Sequence, residues 1–155
     1  MRVQVATVFN CPAEKLFSEL LQSRSLHYVA TPLIRFKPIS DSGTQQQLPA
    51  IWQNGSYPVQ MYLLGFIYLG KQRINIKLDT PAQQLLDAGE GTLIKQWHHL
   101  ITITPASPTR TRYTDTVTIK AGPLTPIVWG FAQVFYRHRQ RRWRRLIRNG
   151  FNYDS

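Results

Sequence analysis

The chain has 155 residues, 43% of them hydrophobic and 17% charged, with a net charge of +11 and one cysteine. Such a chain is long enough for one domain with a sizeable core, and its composition excludes a disordered or disulfide-stapled protein. The basic excess is uneven, since residues 124–155 hold seven arginines and one acidic residue. A patch of this kind attracts nucleic acid or an anionic membrane surface, or serves only as a solvated face.

Arg2 to Phe9 alternates as a strand, with Val3, Val5, Thr7 and Phe9 on one face. Asn10-Cys11-Pro12 ends it. Pro12 suits the first turn of a helix, with Glu14 near its positive end. Leu16, Phe17, Leu20 and Leu21 then recur at helical spacing through Gln22, and Ser23 to Ala30 suits a second short helix. Cys11 has no histidine nearby in sequence and no ligand spacing, so it is expected to be a buried structural thiol.

Leu33 to Ile39 reads as a strand. Ser40 to Pro49 is polar, with a turn signal at Asp41-Ser42-Gly43, and is expected to be a mobile loop. Tyr57 to Leu64 and Phe66 to Leu78 form a predicted hairpin about Gly65. Gln83 to Ala88, Leu93 to Thr104 and Arg110 to Ala121 follow as strands. Gly89-Glu90-Gly91 reads as a plain turn, because the spacing of a phosphate-binding loop is missing. In the last strand Tyr113, Asp115, Val117 and Ile119 share the face expected to point inward. The N-terminus lacks the apolar run of a signal peptide, and residues 61–70 are too few to span a bilayer, so a cytoplasmic location is expected.

Gly122-Pro123 breaks the sheet, Thr125 is expected to cap a long helix over Pro126–Ile147, and Asn149-Gly150 ends it. At about 100° per residue, Arg137, Arg141, Arg144 and Arg148 form one polar stripe. Val128, Ala132, Phe135, Trp143 and Leu146 form the opposite, apolar stripe. Arg139 falls near the middle of that apolar stripe and Arg142 at its margin. A guanidinium facing a core costs several kcal/mol unless it is paired or lines a wet cavity.

The order is one strand, two short helices, about six strands and one long helix. Short turns between consecutive strands imply an antiparallel sheet, and the long helix is the element able to cover its apolar face. The fold class is α+β: a curved sheet gripping a helix, in one domain over residues 1–155. This order, the opening VFNCPAEKLFSELL and the ending TRYTDTVTIKAGPLTPIVWGFAQVFYRHRQRRWRRL resemble the START and birch-pollen-allergen (SRPBCC) superfamily. The ending is similar to its bacterial ligand-binding and polyketide cyclase/dehydrase-like branch. The resemblance implies a helix-grip fold with a cavity between sheet and helix for lipids, sterols, polyketides or hormones. No cofactor is expected, and no shared catalytic motif is carried over.

On the residues themselves, the cavity would be lined by Trp97, His99, Tyr113, Asp115, Phe131, Phe135 and Arg139. Asp115 would pair with Arg139 or Arg142, either as a polar anchor for a ligand carboxylate or carbonyl, or as an ion pair fixing helix to sheet. In Trp97-His98-His99 one histidine faces inward, and alternation favours His99. His99 or Asp115 is then the candidate proton-transfer group of an aromatase/cyclase- or dehydratase-like enzyme. His27 and His138 show no recognisable partner, no metal set has ligand spacing, and no nucleophile elbow is present. Further aromatic residues, Tyr57, Tyr62, Phe66, Tyr68 and Trp143 with Met61, either line the pocket or fill a solid core. Three functions follow: binding of a small apolar or amphipathic ligand, catalysis on a polyketide-type substrate, or anionic lipid or nucleic-acid contact through the arginine stripe. The oligomeric state is left open.

Overall fold

A computed structural model describes residues 1–39 and 47–155. The chain runs β1 (Arg2–Phe9), α1 (Ala13–Leu20), α2 (Ser23–Ala30), β2 (Ile34–Pro38), β3 (Gly55–Leu63), β4 (Ile67–Asp79), β5 (Gln84–Gly91), β6 (Gln96–Ser107), β7 (Arg110–Lys120) and α3 (Thr125–Arg148), with a 3-10 turn at Gly122–Leu124. Most of the polar stretch expected as a loop, 40–49, lies outside the described residues. The strands form one antiparallel sheet in the order β1-β7-β6-β5-β4-β3-β2. The fold is α+β and of the helix-grip kind, with β1 and β2 at opposite edges and α1–α2 carrying the chain between them.

Local chemistry explains the turns. Leu64 and Gly65 at the β3–β4 hairpin both have positive φ, 53° and 82°, which suits the right-handed twist of paired strands. Helix α3 ends in a Schellman arrangement: Gly150 has φ 63°, its N–H donates to Ile147 O, and Phe151 N–H donates to Leu146 O. Two sequence expectations are corrected. Thr125 is not the cap of α3 but lies inside its first turn; its hydroxyl accepts from Ala121 N–H and donates to Gly122 O, closing the preceding 3-10 turn. Gly89-Glu90-Gly91 is not a turn but the end of β5, where a Cβ on Gly91 would stand 2.7 Å from Lys71 O. The glycine there permits a close strand approach that a side chain would block.

Helix α3 packs on β1, β7 and α2. Its inward stripe divides the interior into two apolar clusters. Trp143 and Leu146 join Phe9, Leu16, Ile101 and Tyr113 in one. Ala132, Phe135 and Tyr136 join Val3, Val117 and Ile119 in the other. Each fully buried large side chain contributes about 1.5–3 kcal/mol. Between the two clusters lies a level of polar side chains that crosses the sheet and the helix together: Asp87 on β5, His99 on β6, Asp115 on β7, and Arg139 and Gln140 on α3. On each strand the polar residue follows the pleat: Leu85-x-Asp87, His99-x-Ile101, Tyr113-x-Asp115-x-Val117. Period-two alternation therefore aims them all at α3.

Candidate functional site

A cavity of about 290 Å³ opens between the sheet and the N-terminal half of α3, near the lower end of the roughly 300–1,000 Å³ typical of ligand pockets. Its wall is mostly apolar. Met61, Leu69, Ile94, Trp97, Phe131 and Phe135 represent the sheet and helix sides, and its polar side chains include Gln72, Asp87, His99 and Arg139. Asp87, His99 and Arg139 also border a second void of about 40 Å³ that reaches toward Trp143. They form a polar partition with the main cavity on one side and the deeper apolar cluster on the other.

His99 is buried and faces inward. Its Nε2 lies 2.7 Å from Asp115 Oδ1. Burial pushes the His99 pKa down more than Asp115 pushes it up, so the ring is neutral near pH 7 and Nε2–H donates to the carboxylate. The other ring nitrogen has no hydrogen-bond partner among the described residues. Asp115 is fully buried and also accepts from Gln140 Nε2 at 3.0 Å and from the Tyr113 hydroxyl at 3.3 Å. Burial raises its pKa, but the His99 and Gln140 hydrogen bonds and the nearby Arg139 charge outweigh burial and hold it below the usual value. Gln140 is fixed in turn by donating to Val5 O and accepting from the Thr7 hydroxyl.

Arg139 is only 4% exposed. Its Nε finds no acceptor among the described residues. The guanidinium carbon lies 5.5 Å from the Tyr136 ring centre and 5.9 Å from that of Phe135. Burial works against its charge, and the Tyr113, Asp115 and Tyr136 groups outweigh it. Arg139 is thus a cation beside an apolar cavity with hydrogen-bonding capacity unspent.

The expected pairing of Asp115 with Arg139 or Arg142 is corrected. No salt bridge joins them; Asp115 is taken by His99, Gln140 and Tyr113. Arg142 donates to Tyr28 O at 3.1 Å and lies 4.0 Å over the Tyr28 ring, which ties α3 to α2. Tyr113 and Asp115 do not line the cavity, because they are fully buried beside the deeper cluster. Of the expected lining, Trp97, His99, Phe131, Phe135 and Arg139 border it, and so does Met61. Tyr57, Tyr62, Phe66 and Tyr68 do not, and Trp143 reaches only the smaller void. His138 has a partner after all, the Thr31 carbonyl at 2.9 Å. Cys11 is buried and its thiol is pushed up, chiefly by burial, which makes it a poor nucleophile. Arg137, Arg141, Arg144 and Arg148 are exposed on the face of α3 turned away from the cavity.

Asp87, Tyr136 and Gln140 were missed from sequence. Asp87 lies opposite His99 in the β5–β6 register. Its Oδ1 accepts from Asn75 N–H at 2.9 Å. Burial pushes its pKa up to about 7, against the opposing pull of the Asn75 hydrogen bond and of Arg139. Its signal was available: an acid on the inward register of a strand whose neighbour on that face is Leu85. Tyr136 accepts a hydrogen bond from Trp97 Nε1 at 2.9 Å and so positions the indole at the cavity edge.

The family model described as a domain of unknown function (DUF8410) matches residues 7–147. The chain belongs to that family. No curated protein matches the sequence significantly. Among solved structures, the DUF8410 chain is similar to TTHA0849 from Thermus thermophilus, with a TM-score of 0.69 and 10% identity over 98% of this chain and 100% of that one. A START superfamily protein from Mycobacterium smegmatis aligns with a TM-score of 0.67 and 13% identity, covering 96% and 97% of the two chains. The di-domain ARO/CYC BexL from the BE-7585A biosynthetic pathway gives 0.69 and 7% identity, over 96% of this chain and 46% of that one. At such identities the likeness establishes the START-like fold alone. No helix among the described residues is long and apolar enough to cross a membrane, and among them no three His, Cys, Asp or Glu side chains are placed to hold a metal.

Proposed function

We propose that this protein binds a small amphipathic ligand in the cavity between the sheet and α3. The observation that carries this reading is a buried arginine with an unpartnered Nε bordering a mostly apolar space of about 290 Å³. Left unmet, that Nε costs about 1–3 kcal/mol. A ligand's polar end against Arg139, with its apolar part along Trp97, Phe131 and Phe135, would satisfy both. Native mass spectrometry of the purified protein is the direct test. It is expected to show a co-purified small molecule, retained by the wild type and lost from Val128→Trp, which fills the cavity. Ligand retention at wild-type level in a folded Val128→Trp protein would remove this reading.

A second reading is favoured by one specific observation, the His99–Asp115 hydrogen bond at the cavity wall. In it the protein is an aromatase/cyclase- or dehydratase-like enzyme acting on a polyketide-type substrate. His99 is the proton-transfer group and Asp115 orients its ring. His99→Gln would then abolish turnover and preserve binding. The exposed arginine stripe is a separate question. If it contacts anionic lipid or nucleic acid, binding will fall steeply with salt, and no binding at low salt would dismiss it.

A further inference from the structure

Asp87 has no part in the hydrogen bonds that hold His99, Asp115 and Gln140 together, yet it lines both the main cavity and the smaller void beside Arg139. One of its oxygens is engaged by the Asn75 N–H; the other has no partner among the described residues. The groups around it are few. From β6 it meets neutral His99, its register partner. From α3 it meets the Arg139 cation and Tyr136, and Asp115 and Tyr113 of β7 lie beyond His99. β4 and α2 present to the cavity only uncharged side chains, including Gln72, Ile74 and Leu26. Arg139 is thus a single cation between two carboxyl groups. Asp115 is held ionised chiefly by its own hydrogen-bond partners, so the Arg139 Nε–H stays unspent at the cavity; a second and a third negative charge beside one guanidinium repel each other, and Asp87 therefore competes with any anionic ligand for that place.

We propose that the cavity takes a monocarboxylate amphiphile, its carboxylate on Arg139 and its alkyl or aryl part in the apolar space, and that binding is coupled to protonation of Asp87, whose acid proton then donates to the ligand. This rests on the cavity being a ligand site, and it adds the headgroup chemistry and a pH control. A protonated Asp87 removes the competing charge and supplies a donor; an ionised one repels the ligand. The near-neutral titration of Asp87, raised to about 7, sets the interval over which the coupling is felt.

The test uses isothermal titration calorimetry of the full chain with octanoate and with uncharged 1-octanol at pH 6 and pH 8. Octanoate is ionised at both values. Octanoate affinity is expected to fall about tenfold from pH 6 to pH 8, the loss that follows when a group half-protonated at pH 7 must be protonated in the complex. Octanol affinity should not change. Asp87→Asn keeps the acceptor for Asn75 N–H and mimics the protonated acid, so its octanoate affinity should be flat with pH. Arg139→Gln should weaken octanoate about tenfold or more, the scale of one charge-assisted hydrogen bond, and spare octanol. Octanol binding with octanoate excluded, or octanoate binding indifferent to pH in the wild type, overturns the inference and leaves the cavity reading standing. Failure of both probes to bind takes down the cavity reading and the inference with it.

Discussion

His99 and Asp115 hold each other across β6 and β7, with Nε2 and Oδ1 2.7 Å apart and both side chains almost wholly buried. This contact decides how the polar level works. It commits Asp115 Oδ1 to the histidine, leaves Arg139 Nε without an acceptor among the described residues, and fixes which imidazole nitrogen remains available there. Asp115→Asn should therefore destabilise the protein by about 3 kcal/mol, because His99 and Gln140 lose a charged acceptor and buried Arg139 loses one of its two neighbouring carboxyl charges. Urea unfolding measures this; a loss under about 0.5 kcal/mol, the scale of a surface substitution, would mean that Asp115 does not balance the Arg139 charge.

The His99 ring should be mostly neutral at pH 6.5, with its proton on Nε2. The sign follows from its lowered folded pKa. Charging His99 is harder folded than unfolded, so its contribution is intact above the unfolded pKa near 6.5 and is lost as pH falls below it. Nitrogen–proton correlation spectra of the side chain would read both tautomer and charge. An imidazolium at pH 6.5 is the contrary result.

Asp87 works in the opposite direction on the pH scale. Its folded pKa is raised from 3.8 to about 7, so ionisation is penalised in the folded state. The penalty is absent below the unfolded pKa, grows between about pH 4 and 7, and is constant above. Asp87→Asn should accordingly match wild-type stability near pH 4 and exceed it at pH 8, by at most about 4 kcal/mol at roughly 1.4 kcal/mol per pKa unit. Denaturant midpoints across that range would check it, and equal stabilities at pH 8 would contradict the raised Asp87 pKa.

Tyr136→Phe removes the acceptor of Trp97 Nε1. The expected cost is about 1 kcal/mol, together with a red or blue shift and altered quenching of Trp97 fluorescence as the indole moves at the cavity edge. An unchanged Tm and emission spectrum would show that the hydrogen bond does not position Trp97.

Gly91→Ala should destabilise by roughly 1–3 kcal/mol through overpacking, since the new Cβ would meet Lys71 O at 2.7 Å. Thermal unfolding tests it, with Gly130→Ala as a control because a Cβ there meets nothing within 4 Å.

The sequence by itself determined the element order, the antiparallel sheet, the inward face of β7 and the misplaced Arg139, because each is written in local periodicity. Repeats of two and of about 3.6 residues are visible within a single segment such as 110–120 or 126–147. Tertiary structure alone decided the partners. Asp115 meets His99 rather than Arg139 because strand register and helix azimuth, which no single segment encodes, place the imidazole nearer. Gly89 to Gly91 belong to a strand because Lys71 and Gln72 of another strand come close. Asp87 becomes part of the site only when β5, β6 and α3 converge on one level. The arginine was legible as a residue on the wrong face. The cavity that gives it a use was not, because empty space is a property of packing between elements.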